Sequence, residues 1–537
     1  MLASRFSIRI LSAGAWLVAA TVAPAAKPPA DDATIEAGRQ TYMERCWFCH
    51  GEEGDGFGPV ADYLDPRPRD FTLGTYKLRT THSGELPTDE DLFRTVSRGI
   101  PGTAMPAWET YLDEDERWQV IRYIQTFAPE FENPEFDPYK KVVESSSPVP
   151  PSAESIARGK ELFRDAKCFE CHGVNGRGDG QKSASMEDDW GYPLRVRNLT
   201  HGWTIKGGAE PEDIFLRFTT GINGTPMPSF AQTMSEEDRW HLANYISREV
   251  VQNPRFDKIV LKAERVDGEL PGDPWDDRWD ETDFLDIPMA GQILAKPRWQ
   301  NHAVQMVTLR ALYNDDEIAF QVTWDDPFED RVHREELEWP VESMSETYAW
   351  PFADDLPRKP GTFRDAVALQ FPARAGDGPR KPHFFRGAAG QPVQLWMWES
   401  DRRDRGEPAV HTVEARGFGR PLKTLGEEQQ SVTGSGVWQN GQWRVVFRRP
   451  RSREDEPPGP GLGFGAGSLV PVAVEAWEGA NGEHGLLMSL STWHYLYLER
   501  STPGSVYALA FLGLAVTAGG EWWVVRRVRR RGRGGRP

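Results

Sequence analysis

Cys46-Trp47-Phe48-Cys49-His50 and Cys168-Phe169-Glu170-Cys171-His172 decide how this chain reads. Two thiols separated by two residues reach the two vinyl positions of a porphyrin, and the histidine that follows lies beneath the iron. Cys-x-x-Cys-His is therefore the attachment motif of c-type haem. One match alone could belong to a zinc site or to chance. Two matches, each followed at the same spacing by Gly-Thr-x-Met-Pro, point to two covalent haems c. Cys46, Cys49, Cys168 and Cys171 would form the thioethers, and His50 and His172 would be the proximal iron ligands. No cysteine lies outside the two motifs, so a disulfide framework is excluded.

The motifs belong to a duplicated segment. At one constant offset Gly99-Ile100-Pro101-Gly102-Thr103-Ala104-Met105-Pro106 matches Gly221-Ile222-Asn223-Gly224-Thr225-Pro226-Met227-Pro228. Arg117-Trp118 and Tyr123-Ile124 match Arg239-Trp240 and Tyr245-Ile246. Duplication at this length means two tandem domains, 33–136 and 155–255, joined by a stiff linker over 137–154. Met105 and Met227 sit in Gly/Pro-bounded loops rather than on an apolar helix stripe, which makes them the expected distal ligands. His82 and His201 are the nearby rivals, but they do not correspond in the repeat. His/Met ligation raises a haem potential and closes the iron to substrates, so it favours electron relay over catalysis. Asp70-Phe71-Thr72 and Asn198-Leu199-Thr200 also correspond; with Tyr76 and Lys77 they either reach the haem propionates or pack the loops. Each copy reads as mostly helical, with helices over 33–45, 113–127, 155–166 and 235–250. A further one starts after Thr88 or Glu210, the expected caps, and Trp118, Ile121 and Ile124 face inward.

The two ends carry opposite devices. Residues 1–26 read as a secretory signal: Arg5 and Arg9, an apolar run over 10–22, and small residues at 23–26. An uncleaved anchor is the alternative, and the lack of an Arg-Arg pair there argues against a twin-arginine signal. Residues 505–525 are apolar except for Glu521, and as a helix they match one hydrocarbon core. The Arg-rich tail 526–537 would stay cytoplasmic and leave the bulk of the chain on the periplasmic side of a bacterial membrane. The formal net charge is −18 despite that basic tail. Such a body repels nucleic acid and can steer a basic redox partner.

Beyond residue 256 the pattern alternates. Val307, Leu309 and Ala311, a turn at Asn314-Asp315-Asp316, then Ile318, Phe320, Val322 and Trp324 form a hairpin. Val437-Trp438 and 442–447 flank an Asn440-Gly441 turn and form another. With runs over 469–477 and 487–498, this predicts an all-β sandwich over 256–500.

On those motifs, residues 33–250 resemble tandem class I cytochrome c domains. Residues 270–500 resemble the haem b-binding γ subunit of ethylbenzene dehydrogenase and related type II dimethyl sulfoxide reductase enzymes. Three stretches carry the second likeness: Thr308-Leu309-Arg310-Ala311-Leu312-Tyr313 running on to Trp324-Asp325-Asp326, Asp365 to Pro372, and Val472 to Gly482 continuing to Ser491-Thr492-Trp493. The resemblance implies a haem b held by a Met and a Lys. Here Arg386 stands where the Met would be and Met488 where the Lys would be, so neither ligand is retained; Met488 with His383 is the substitute pair. The resemblance also implies, as partner, a molybdenum oxidoreductase or a respiratory-chain protein. The expected whole is a membrane-anchored dihaem electron carrier. A dihaem peroxidase, or a binding module in which the sandwich docks a partner, are the readings it competes with.

Cys46→Ala with Cys49→Ala should remove one covalent haem and leave the second domain loaded, as read by the haem c content per chain. Loss of both haems would show that the two sites do not assemble independently.

Overall fold

The computed structural model describes residues 27–143, 147–295, 298–332, 361–373, 381–418, 420–451, 463–499 and 504–532. The expected signal over 1–26 and the last five residues of the basic tail lie outside the described residues. The first repeat forms α1 (Asp32–Arg45), α2 (Trp47–His50), α3 (Asp89–Arg98) and α4 (Glu114–Gln125); the second forms α5 (Ala153–Asp165), α6 (Phe169–His172), α7 (Pro211–Thr220) and α8 (Glu236–Tyr245). A wide helical turn, Ile246–Val250, prolongs α8.

Side-chain caps set most starts. Asp31 accepts from the Thr34 N–H and Ser152 from the Ser155 N–H. Thr88 and Asp113 form reciprocal capping boxes with Asp91 and Glu116. Glu210 holds the cap position of α7 without a side-chain bond, and Pro211 at the first helical position removes one of the donors that would need a partner.

In each repeat the first helix crosses the last. The crossing is set by a glycine: a Cβ on Gly38 would collide with the Gln119 carbonyl, and one on Gly159 with the His241 carbonyl. Tyr42, Trp118, Val120, Ile121 and Ile124 form the first core. Phe163, Phe215, Phe218, Trp240 and Ala243 form the second.

The rest of the described chain builds a mixed sheet. Its strands are β1 (Val260–Arg265), β2 (Phe284–Pro288), β3 (Ala290–Gly291), β4 (Met306–Tyr313), β5 (Glu317–Asp325), β6 (Ala366–Pro372) and β7 (Val393–Glu399), then β8 (Val410–Ala415), β9 (Lys423–Thr424), β10 (Thr433–Trp438), β11 (Gln442–Pro450), β12 (Leu469–Trp477), β13 (Ser489–Leu490) and β14 (His494–Leu498). One short helix, α9 (Arg278–Glu281), precedes β2. Both expected hairpins form. Asn314 Oδ1 accepts the N–H groups of Asp316 and Glu317 at the first turn. At the second, Asn440 and Gly441 both have positive φ, 52° and 74°.

The expected all-β sandwich needs correction. Eleven strands form one continuous sheet in the order β10-β11-β5-β4-β1-β14-β12-β6-β7-β8-β9, with β2 paired to β4, β13 to β12 and β3 to β13 off that path. The cause is β1, which pairs in parallel with β14 on one side and β4 on the other and so joins what would have been two sheets. One shared core takes residues from both halves, among them Val307, Phe320, Trp324 and Trp443 from one and Leu369, Phe371, Trp396 and Val472 from the other. The run expected over 487–498 splits into β13 and β14.

The chain ends in α10 (Gly504–Gly532). Its stretch Ala508–Arg529 is long and apolar enough to cross a membrane, with Leu509, Phe511, Leu514 and Val516 exposed.

Gly38→Ala and Gly159→Ala should each destabilise one helical repeat by about 1–3 kcal/mol, because an overpacked crossing must open. Denaturant unfolding followed through the haem absorbance tests this, and an unchanged midpoint would contradict it.

Candidate haem sites and the face between them

Each attachment motif is one short helical turn closed by a glycine in left-handed backbone, Gly51 with φ 80° and Gly173 with φ 77°. The turn brings both thiols and the imidazole to one side. In the first repeat Cys46, Cys49, His50 and Met105 line a single cavity together with Tyr76 and Val96. His50 Nδ1 lies 2.9 Å from the Arg69 carbonyl, and His172 Nδ1 lies 3.1 Å from the Arg197 carbonyl. A carbonyl only accepts, so Nδ1 carries the proton and Nε2 keeps its lone pair. Burial pulls His50 down to about 4 and lowers His172 as well, so both rings are neutral at neutral pH. Burial also pushes the thiols up, Cys46 to about 12 and Cys168 to about 11.

The methionine loops are built alike. Ile100 donates to the Met105 carbonyl, Met105 N donates to Thr103 Oγ1, and that hydroxyl donates to the Ile100 carbonyl. Ile222, Met227 and Thr225 repeat all three bonds. The Gly-Thr-x-Met sequence is thus a hydrogen-bonded loop that presents the methionine. His82 is exposed. His201 turns away to Asp325, with Nε2 3.2 Å from the carboxylate.

Asp70 and Asn198 close local turns, each accepting from the N–H and hydroxyl of the threonine two residues on. Of the residues offered for the propionates, Tyr76 and Lys77 line the first cavity. Among the described residues the buried Tyr76 hydroxyl has no hydrogen-bond partner. A thiol pair, a neutral imidazole, a thioether, an unpartnered hydroxyl and cations around one cavity fit a haem c. The thioether bonds would tether it, His50 and Met105 would hold its iron, and the group would supply one-electron redox chemistry. His172, Met227, Cys168 and Cys171 repeat that donor set in the second domain.

Beside the second site the sheet docks through contacts that local sequence patterns do not show. Arg177 Nε donates to Asp325 Oδ1 at 3.0 Å, Asn198 Nδ2 donates to Asp325 Oδ2, and the Thr200 hydroxyl shares its one hydrogen between that oxygen and Asn198 Oδ1. Burial alone would raise Asp325, but the His201 ring and the Arg177 guanidinium hold it well below the usual carboxylate range. Arg195 pairs with both oxygens of Glu478 at 2.9 and 2.5 Å.

The positions implied for a haem b do not fit one. Arg386 is buried and pairs with Glu475, Nη2 to Oε2 at 3.0 Å, while Nη2 also lies 3.7 Å from Met488 Sδ. Met488 is fully buried among Ala368, Phe385 and Leu490. His383 is exposed, its ring stacked on Phe384. A cavity beside Arg386 is lined by Met397, Trp477 and Glu399, but by neither Met488 nor His383. An ion pair therefore holds Arg386, at the position implied for one ligand, and the substitute donors Met488 and His383 do not line one cavity.

Known proteins divide the chain in the same way. Residues 33–124 match the family model described as cytochrome c oxidase, cbb3-type, subunit III, residues 156–248 the cytochrome c model, and residues 276–420 the ethylbenzene dehydrogenase model. The Helicobacter pylori protein "Cbb3-type cytochrome c oxidase subunit CcoP" is 25% identical over 205 residues, 37% of this chain and 58% of that relative, so the chain spans less than two thirds of its length. A chain of the Kuenenia stuttgartiensis reducing HAO-like protein complex is 45% identical, with 40% of this chain and 96% of that one covered and a TM-score of 0.38. A family 9 carbohydrate binding module from Caldicellulosiruptor kristjanssonii is 8% identical over 45% of this chain and 97% of its own, with a TM-score of 0.25.

Met105→Ala and Met227→Ala should each open one iron to added ligands and lower its potential. The weak long-wavelength absorption of a sulfur–iron bond should fall by about half in each. A band unchanged in both would rule these methionines out as ligands.

Proposed function

We propose that this chain, which carries two cytochrome c domains followed by an ethylbenzene dehydrogenase-type domain, relays single electrons through its two haems on the periplasmic side of a bacterial membrane. The observation that carries this reading is the duplicated set of donors: in each domain a neutral histidine held by a carbonyl and a methionine presented by a bonded loop, brought to one cavity in the first domain. Two ligated faces leave each iron with no room for substrate, which suits outer-sphere transfer. The apolar C-terminal helix anchors the chain, and its arginines keep the tail cytoplasmic.

The sheet domain is a docking platform in this reading. It is already fastened to the second cytochrome domain through Asp325 and Glu478, so a partner that binds the sheet is delivered to the second haem. By resemblance the partner is a molybdenum oxidoreductase; the cbb3-type relative makes a respiratory-chain protein the other choice.

Coulometric titration of the detergent-solubilised chain should take up two electrons per molecule, and the reduced form should not bind carbon monoxide. Rapid carbon monoxide binding at either iron would favour an enzyme instead. Truncation before Ser505 should release a haem-loaded protein from the membrane; a product that still sediments after a high-salt wash would count against the single anchor.

A further inference from the structure

The two cytochrome domains meet through their haem-bearing loops, and they do so reciprocally. Gly102, in the first methionine loop, faces the second domain so closely that a Cβ there would lie 2.8 Å from Arg197 Nη1 and 3.0 Å from the Thr204 carbonyl. Gly224, its counterpart, faces Trp190 of its own domain and lies near the first domain: its Cβ would be 3.6 Å from Arg69 Nη1. Arg69 and Arg197 are the residues whose carbonyls hold the proximal histidines. Each domain therefore sends the arginine of its own proximal loop toward the distal loop of the other. Arg79 of the first domain and Arg217 of the second seal the contact by donating to the Thr220 and Arg79 carbonyls.

This face collects positive charge that the protein does not neutralise at contact. Arg69, Lys77, Arg197 and Lys206 gather there, and among the described residues none has a carboxylate within the 4.0 Å of an ion pair. Asp65, Asp70, Asp188 and Asp189 supply opposing charge only from beyond that distance. Burial and the neighbouring cations lower Lys77 to about 8 and lower Lys206 well below the usual lysine range. Half-buried like charges with no close counter-ion are costly, and an anion entering among them removes that cost. The anion's position is indicated by Lys206. It belongs to the second domain, yet it lines the cavity that holds Cys46, Cys49, His50 and Met105 of the first, beside Arg69, Lys77 and the unpartnered Tyr76 hydroxyl. The anionic groups of a haem c are its propionate carboxylates.

We propose that Arg69, Lys77, Arg197 and Lys206 form one shared cationic seat for the propionates of both haems, in which Lys206 of the second domain holds a propionate of the first domain's haem. This rests on the dihaem reading above. It makes the two haems neighbours through their propionate edges and couples them electrostatically: reducing one lowers the affinity of the other for an electron. It also makes domain docking depend on haem loading, because without propionates the seat repels itself.

The test uses the full chain in detergent, with haem carboxyl carbons labelled with 13C. Haemochrome spectra first establish two covalent haems per chain; their absence in the wild type would sink the dihaem reading itself, not this inference. Met105→His marks which potentiometric step belongs to the first haem. Lys206→Gln should then lower that step more than the second and move the infrared redox-difference band of the labelled carboxylates. Lys206→Arg should restore both, and Lys160→Gln, on an exposed ion pair with Glu249, should change neither. If Lys206→Gln loses haem, Arg197→Gln makes the same cross-domain comparison. A first-haem step that does not move, or one that moves with the carboxylate band unchanged, would overturn the proposal. So would a shift abolished by added phosphate, which would assign the seat to a free anion.

Discussion

One hydrogen bond organises each haem site: an imidazole Nδ1–H donated to a backbone carbonyl, from His50 to Arg69 and from His172 to Arg197. It fixes the tautomer and leaves the other ring nitrogen with its lone pair free. It also fixes the loop that supplies the carbonyl, and that loop does more than hold a histidine. In the first domain it extends Arg69 toward Gly224. In the second it extends Arg197 toward Gly102 and places Asn198 and Thr200 on Asp325 of the sheet. The seating of the motif histidine, contact between the cytochrome domains and docking of the sheet therefore share one short segment. A change that frees the loop disturbs all three together.

The charges around that segment are arranged differently on its two sides. Toward the sheet they are paired: Arg177 and His201 with Asp325, Arg195 with Glu478. The Asp325 pairs are largely buried and Glu478 is buried beneath an exposed Arg195, so their worth lies as much in fixing one docking geometry as in net stability. Toward the other cytochrome domain, cations gather without close carboxylates. A protein leaves such a face unneutralised at a cost, and a haem carries the carboxylates that offset it. The asymmetry separates a protein–protein contact, complete in itself, from a cofactor contact that needs the cofactor.

Much of the helical half was legible in the sequence, because its signals are local. The motif cysteines, the Gly-Thr-x-Met loops and the inward stripe of Trp118, Ile121 and Ile124 are short-range patterns that a duplication prints twice. The sheet was less legible. Its hairpins at Asn314 and Asn440 were readable, being set by turn residues. The parallel pairing of β1 with β14 was not, since it joins strands more than two hundred residues apart and leaves no periodic trace. Lys206 was missed because it is out of step with Lys77 in the repeat, and its cavity belongs to the other domain. Arg386 was readable as an unsuitable iron ligand. Its partner Glu475 was not, because only the β12–β6 pairing brings that carboxylate beneath it.

The central claim, that the redox centres are two covalent haems and that the sheet domain holds none, is tested most directly by acid–acetone extraction of the purified chain followed by pyridine haemochrome spectra of both fractions. The account predicts two haems c per chain retained with the protein and no haem b in the extract. Fewer than two retained, or one equivalent of extractable haem b, would contradict it.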